Sequence, residues 1–402
     1  MRNATRRQFL GFSLAAVAPW LAPIRALAAA VKPVKIRDVH VFGITLPVTS
    51  EERRANVYHH YLVVRIDTDA GIRGYSFAGP SPAALPRIKK LLVGQDLFAI
   101  ERHLKHGLLE WGGVEHALWD AIGKLAGQPV HRLLGGSARS VKAYITCVWP
   151  GNPDQSQVSY DEQARMAVKL KQAGFKGMKI RAWRPEPLAD VEACGVIKEA
   201  VGPGFQLMFD RTAHAPKQAG QKVWDYATGL KVARGLQEKG ALWLEEPFAR
   251  DDYLSPARLA AEVDLLITGG EGFRGLDSFR ECVIHKTYDI LQPEGRGSGG
   301  IFTCRQVGTL AEAFHLPCIL HGTMGLQLAG WLQATLAIGA PWQELALITP
   351  PLLPQEQWAP ASKVLKSGDL FTIRDGMIMA PEYPGLGLDL DEEAIERYRI
   401  RK

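Results

Sequence analysis

The sequence predicts an α/β protein in which a (β/α)8-type barrel follows an α+β unit. Three observations carry this. Beyond residue 140, short β-rich runs alternate with longer amphipathic helical runs, the pattern of parallel strands joined by crossover helices. Eight such runs fit into about 210 residues, the repeat of an eight-stranded barrel. Ahead of them, residues 32–136 read as a strand meander followed by helix. An open doubly wound sheet is the alternative that the same alternation allows.

The first 28 residues stand apart. Thr5-Arg6-Arg7-Gln8-Phe9-Leu10 is a twin-arginine signature, an uncharged stretch runs from Gln8 to Ile24, and Ala26-Leu27-Ala28 offers a small-x-small cleavage site. The expectation is a signal peptide over 1–28 and export to the periplasm by the twin-arginine route. Pro19 and Pro23 argue against an anchor helix. Elsewhere no apolar run reaches the roughly 18 residues of a spanning helix, so no membrane contact is expected once the leader is removed. The divisions that follow are 29–140 for the α+β unit, 141–360 for the barrel and 361–402 for a C-terminal segment.

Within the α+β unit, Val34-Lys35-Ile36-Arg37-Asp38-Val39-His40-Val41-Phe42 alternates with the period of a strand. Tyr61-Leu62-Val63-Val64-Arg65-Ile66 does so again and leads through Asp69-Ala70-Gly71 to Ile72-Arg73-Gly74-Tyr75. Residues 98–134 carry helical spacing through Val114, Ala117, Leu118, Ala121, Ile122 and Leu125. Barrel strands are expected at 143–148, 177–180, 206–209, 241–244, 265–268, 290–292, 317–320 and 344–347. Helices are expected at 161–173, 187–200, 222–239, 256–263 and 303–314. Residues 360–402 return to loop, with a short strand at 377–380 and a polar helix at the end.

Composition narrows the function classes. With 47% hydrophobic and 22% charged residues, the chain is too apolar to be disordered. The net charge of +6 owes four arginines to the first 28 residues, which contain no acid; without them 44 basic face 42 acidic residues. The remaining charges are interleaved, so no nucleic-acid partner is expected. The five cysteines, Cys147, Cys194, Cys282, Cys304 and Cys318, include no CxxC pair, and the chain is too long for a disulfide scaffold. Buried thiols are expected, with one disulfide left open.

In such a barrel, catalytic groups sit at the C-terminal ends of the strands. From the second strand to the eighth, those ends read Lys179-Ile180-Arg181, Asp210, Glu245-Glu246-Pro247, Glu271, Gln292-Pro293-Glu294, His321 and Glu344. Lys179 and Arg181 share a face by the period of two. Acids on three consecutive strand ends repel and raise one another's pKa unless a cation neutralises them. An oxygen set without Cys or His suits Mg²⁺ rather than zinc. Salt-bridge acids are the structural alternative. Gly295-Arg296-Gly297-Ser298-Gly299-Gly300 fits a dinucleotide pattern, but the following strand ends in His321 where an acid is needed, so it reads as a strand-to-helix turn.

Several motifs occur in order along the chain: Thr68-Asp69-Ala70-Gly71-Ile72-Arg73-Gly74, Ala117-Leu118-Trp119-Asp120, Leu133-Leu134-Gly135-Gly136, Trp243-Leu244-Glu245-Glu246-Pro247, Gly270-Glu271, Asp289-Ile290-Leu291-Gln292-Pro293 and Gly299-Gly300-Ile301. Through them the chain resembles the enolase superfamily, in its mandelate racemase-like branch of acid-sugar dehydratases and racemases. The resemblance implies a modified barrel covered by a capping domain built from both chain ends. It implies one Mg²⁺ per subunit on Asp210, Glu245 and Glu271, a small carboxylate substrate and a homo-oligomer. It implies that His321 is a base paired with Glu294, and that Glu344 donates a hydrogen bond to the substrate carboxylate.

Two departures matter. The branch often has Lys-x-Lys on the second strand; here the second cation is Arg181, which stays protonated and cannot be a base. The partner of the histidine is Glu294 where the family has Asp. With Lys179 expected to stay charged, His321 is the single base left. His214, four residues after Asp210, matches loosely a general acid of related dehydratases; a surface histidine is the other reading. Arg53, Arg54, His59 and His60 fall in the loop expected to cover substrate, with a solvated charge run as the alternative. The expected activity is Mg²⁺-dependent removal of the proton α to a carboxylate, dehydrating an acid sugar to a 2-keto-3-deoxy acid. A racemase, epimerase or cycloisomerase is the alternative, and a non-catalytic periplasmic acid-sugar binding protein is the alternative of another class.

Overall fold

The computed structural model describes residues 33–149, 158–212, 223–348 and 350–401. Strands β1 (Ile36–Thr45), β2 (His60–Thr68) and β3 (Arg73–Ser76) form an antiparallel sheet in that order. The alternation of β1 buries Val39 and Val41 on one face and Phe42 and Ile44 on the other, and a register irregularity between Ile36 and Asp38 puts Ile36 on the face of Val39. Helix Gly112–Ala126 packs on this sheet, so closely that a Cβ on Gly74 would run into the helix backbone at Ala117 and Ala121. Gly74→Ala is therefore expected to destabilise the protein by about 1–3 kcal/mol, read as a lower urea midpoint. An unchanged midpoint would mean that the helix can shift freely.

Six parallel strands then follow in sequence order: β4 (Ser140–Cys147), β5 (Gly177–Arg181), β6 (Gln206–Asp210), β7 (Trp243–Glu245), β8 (Leu266–Gly269) and β9 (Ile290–Leu291). Strand β10 (Trp342–Leu347) pairs in parallel with β4. The seventh position is held by single bridges, Leu291 to Cys318, Glu294 to His321 and Thr323 to Leu345. The ring is closed, which excludes the open sheet. The buried side chains of Tyr144, Met208, Trp243, Ile290 and Ile319 form one cluster, and the Tyr144 and Trp243 rings meet edge to face at 5.3 Å.

Helices Tyr160–Gln172, Leu188–Val201, Tyr226–Glu238, Leu254–Glu262 and Ile301–Ala313 lie within a few residues of expectation. Helices Gly275–His285 and Leu328–Ile338 were not anticipated. All five cysteines are buried free thiols.

After the barrel come β11 (Ile373–Arg374) and β12 (Met377–Met379); β12 pairs antiparallel with β4, extending the barrel sheet. The last residues do reach the cap: Ile44 and Arg399 form a bridge, and Arg65 and Arg73 pair with Glu396 (3.2 Å) and Glu392 (2.9 Å). Cap and barrel are also joined by Glu115, wholly buried, which accepts from the Ile301 and Phe302 amides at 2.9 Å and so caps helix Ile301–Ala313. His116 Nε2 lies 2.8 Å from the Gly295 carbonyl. The glycine-rich turn is thus held by the cap.

Candidate active site

The strand ends converge as the register dictates. Pairing sets Arg181 beside Asp210 and Asp210 beside Glu245. Lys179, with no exposed surface, places Nζ 2.7 Å from Glu245 Oε2, 2.9 Å from Glu344 Oε1 and 3.6 Å from Asp210 Oδ2. Burial disfavours its charge, but the carboxylates outweigh burial and hold its pKa above the ordinary lysine value. Arg181 Nη1 contacts Asp210 Oδ2 and donates to Thr212 Oγ1 at 2.9 Å, and Thr212 donates to Asp210 Oδ1 at 2.6 Å. Glu245 is pushed up to about 8, first by burial and then by Asp210.

On the other side, His321 Nδ1 is 3.0 Å from Glu271 Oε2 and 3.8 Å from Glu344 Oε2. Burial alone would lower the imidazole pKa; Glu271 outweighs it and holds it at about 10. Glu271 is also the acid expected to hold a cation, and a carboxylate sharing its charge with a cation has less with which to hold that proton. Arg250 Nη2 lies 3.1 Å from Glu271 Oε1. Thr212 (φ 48°) and Glu246 (φ 45°) both have left-handed backbone just past strand ends, the kind of strain that collects at working sites.

Two expected roles are corrected. Glu294 and His321 meet through a backbone bridge, but the Glu294 carboxylate curls back to accept from the Arg296 amide (3.2 Å) and the Gly297 amide. Its extra methylene lets it reach those donors, and Gly297 leaves room where a Cβ would collide with the carboxylate. The imidazole faces Glu271 instead. Glu344 is surrounded by donors instead: it accepts from Tyr144 Oη (3.0 Å), Thr146 Oγ1 and the Gly322 amide (2.9 Å). Although burial raises its pKa, Lys179 and His321 outweigh burial and favour its ionised form, an arrangement that works against the expected donation.

In the cap, Arg53 and Arg54 are exposed in the last turn of helix Ser50–Arg54. His59 Nδ1 lies 2.8 Å from the Val57 carbonyl, and His60 Nδ1 lies 3.0 Å from Thr45 Oγ1. These contacts are local to the cap. His214 lies outside the described residues. Sequence reasoning missed Arg250 and, under Glu344, Tyr144 and Thr146; it placed Gln292 at a strand end without a role, and Gln292 Nε2 is 3.1 Å from Glu245 Oε2. Tyr144 on β4 is the register partner of Glu344 on β10, a pairing that exists only once the ring has closed.

The residues fit a divalent cation. Glu245 Oε1 is buried without a hydrogen-bond partner. Ligand atoms of Glu245, Glu271 and His321 all lie within 4.8 Å of one another. Asp210 sits beside them, its carboxylate turned to Arg181 and Lys179. With the Glu246–Arg250 pair set aside, the four carboxylates of Asp210, Glu245, Glu271 and Glu344 face the two fixed cations Lys179 and Arg181. Protons offset that excess here, on Glu245 (held at about 8) and His321 (held at about 10); once both are shed, the two negative charges left over are what a divalent ion balances.

Comparison with known proteins gives a consistent result. Residues 44–135 match the family described as mandelate racemase / muconate lactonizing enzyme, N-terminal domain, and residues 160–394 match enolase C-terminal domain-like. An arabinonate dehydratase of Saccharolobus solfataricus is 29% identical over 394 residues, covering 91% of this chain and 100% of that protein. A D-galactarolactone cycloisomerase of Agrobacterium fabrum is 28% identical over 370 residues, covering 87% and 92%. The crystal structure of a D-glucarate dehydratase from Agrobacterium tumefaciens complexed with magnesium superposes with a TM-score of 0.76 at 28% identity, covering 91% of this chain and 99% of that one.

Proposed function

The chain belongs to the mandelate racemase / muconate lactonizing enzyme family of the enolase superfamily, and from that premise we propose that it dehydrates an acid sugar. The proton α to the substrate carboxylate is removed, the β-hydroxide leaves, and the resulting enol tautomerises to a 2-keto-3-deoxy acid. Asp210, Glu245 and Glu271 would hold one Mg²⁺ per subunit, whose charge offsets that building on the substrate carboxylate. His321 takes the α-proton. Lys179 anchors Glu245 and Glu344 and lends positive charge beside the reacting carboxylate. Arg181 holds Asp210.

The observation that carries this reading is the setting of Lys179: fully buried and within 3.6 Å of three carboxylates, it is anchored as a cation. The one close carboxylate of His321, by contrast, is Glu271, whose hold on the imidazole proton weakens when it shares its charge with a metal, so His321 is the side chain left to accept a proton. Racemisation takes a base on each face of the α-carbon; dehydration takes one. A screen of acid sugars with Mg²⁺, read by formation of a 2-keto acid and by the number of solvent hydrogens incorporated in D₂O, tests it. Dehydration incorporates one solvent deuteron at the position vacated by the hydroxide. Return of the α-centre with inverted configuration would favour the racemase, and a rearranged product without loss of water would favour the cycloisomerase.

We propose further that the protein is exported to the periplasm, on the strength of Arg6, Arg7 and the Ala26-Leu27-Ala28 site. Replacing Arg6 and Arg7 together by Lys is expected to retain the precursor in the cytoplasm, read by fractionation. Undiminished secretion of that variant would end the twin-arginine reading.

A further inference from the structure

Arg250 has no counterpart among the strand-end residues, yet its guanidinium reaches two acids at once. Nε lies 3.2 Å from Glu246 Oε1 and Nη2 lies 3.0 Å from Glu246 Oε2, a two-point grip on a carboxylate that is 1% exposed. The Gly270 amide also approaches Glu246 Oε1, at 3.3 Å. The same Nη2 lies 3.1 Å from Glu271 Oε1, while Glu271 Oε2 is the oxygen facing His321. The guanidinium occupies space that exists because residue 272 is glycine: a Cβ there would fall within the Arg250 side chain. The left-handed backbone of Glu246 aims its carboxylate away from Glu245 and toward Arg250.

We propose that Arg250 is a positioning residue for Glu271, fixed by Glu246 and admitted by Gly272, which occupies Oε1 and so presents Glu271 to the cation through Oε2 alone. The inference rests on the reading above that Glu271 is a cation ligand. A carboxylate bound at one oxygen by a guanidinium cannot swing to chelate through both, so the site takes one oxygen from Glu271 and keeps a position for substrate. Partners of this kind typically set metal affinity by about 10–100-fold.

The experiment is a calorimetric titration of Mg²⁺ into the full-length mature protein, its Arg250→Ala variant and its Gly272→Ala variant, with circular dichroism confirming the fold of each. Gly272→Ala keeps every charge and evicts the guanidinium, so it separates position from charge. Both variants are expected to bind Mg²⁺ about 10–100-fold more weakly. Guanidinium ion added to Arg250→Ala should restore affinity, and should fail to do so in Gly272→Ala, where the space is filled. At saturating Mg²⁺, kcat should return toward the wild-type value. Wild-type protein that takes up no Mg²⁺ overturns the cation reading and this inference with it. Wild-type protein that binds Mg²⁺ while both variants bind it equally well overturns the inference alone. So does unchanged affinity with kcat depressed at saturating Mg²⁺, which would make Arg250 a substrate contact.

Discussion

His321→Asn is expected to abolish turnover and solvent exchange of the substrate α-proton together, each by about 10²–10⁴-fold, with Mg²⁺ still bound. The other titratable groups at the barrel mouth are already engaged. Lys179 and Arg181 are both held protonated, burial working against the charge and the surrounding carboxylates prevailing. Glu344 is locked as an acceptor by Tyr144, Thr146 and the Gly322 amide, and Asp210, Glu245 and Glu271 are committed to neutralising cations. Asparagine keeps polarity and approximate size but cannot take a proton. Exchange followed by NMR in D₂O decides the matter. If the variant exchanges the α-proton at the wild-type rate, Lys179 becomes the base and the two-base racemase reading moves ahead. If it loses Mg²⁺ instead, His321 is a ligand, as its place beside Glu245 and Glu271 would then require.

Lys179→Met should be the most destabilising single change at the mouth. The variant leaves Glu245, Glu344 and Asp210 facing one another in a buried site, offset by Arg181 beside Asp210 and by His321 3.8 Å from Glu344. Removing one partner of a buried charge pair typically costs about 3–5 kcal/mol, because the remaining charges are left uncompensated. The loss should be largest without metal and shrink as Mg²⁺ is added, since an ion that binds only the folded state adds about 2.7 kcal/mol at a hundredfold excess over its Kd. Urea unfolding with and without Mg²⁺ checks this. A variant as stable as wild type in the absence of metal would show that Lys179 does not neutralise the carboxylates, and would return it to candidacy as a base.

The strand ends were legible because a barrel's parallel register converts sequence spacing directly into proximity: Arg181, Asp210 and Glu245 are literal neighbours across β5, β6 and β7. What remained hidden has three physical causes. Helix Leu328–Ile338 is buried on nearly all sides, so it has no amphipathic stripe to betray it. The rotamer of Glu294 is decided by amides of a glycine-rich turn that competes with His321 for the carboxylate. The meeting of Arg250 with Glu271 depends on the vacancy above Gly272, a tertiary fact with no local pattern. The surroundings of Glu344 were hidden as well, because Lys179 approaches its carboxylate only in the folded ring.

The edge of β1 is completed by the far end of the chain: Thr45 donates to the Tyr398 carbonyl at 3.1 Å, and Ile400 donates to the Gly43 carbonyl at 2.9 Å. Biosynthesis gives this pairing a temporal meaning. Most domains fold in order as they emerge from the ribosome, but here β1 waits for a segment made after the entire barrel. Joining segments so far apart in sequence is also an intrinsically slow event. The cap sheet is therefore completed only after the whole barrel between the two segments has been made.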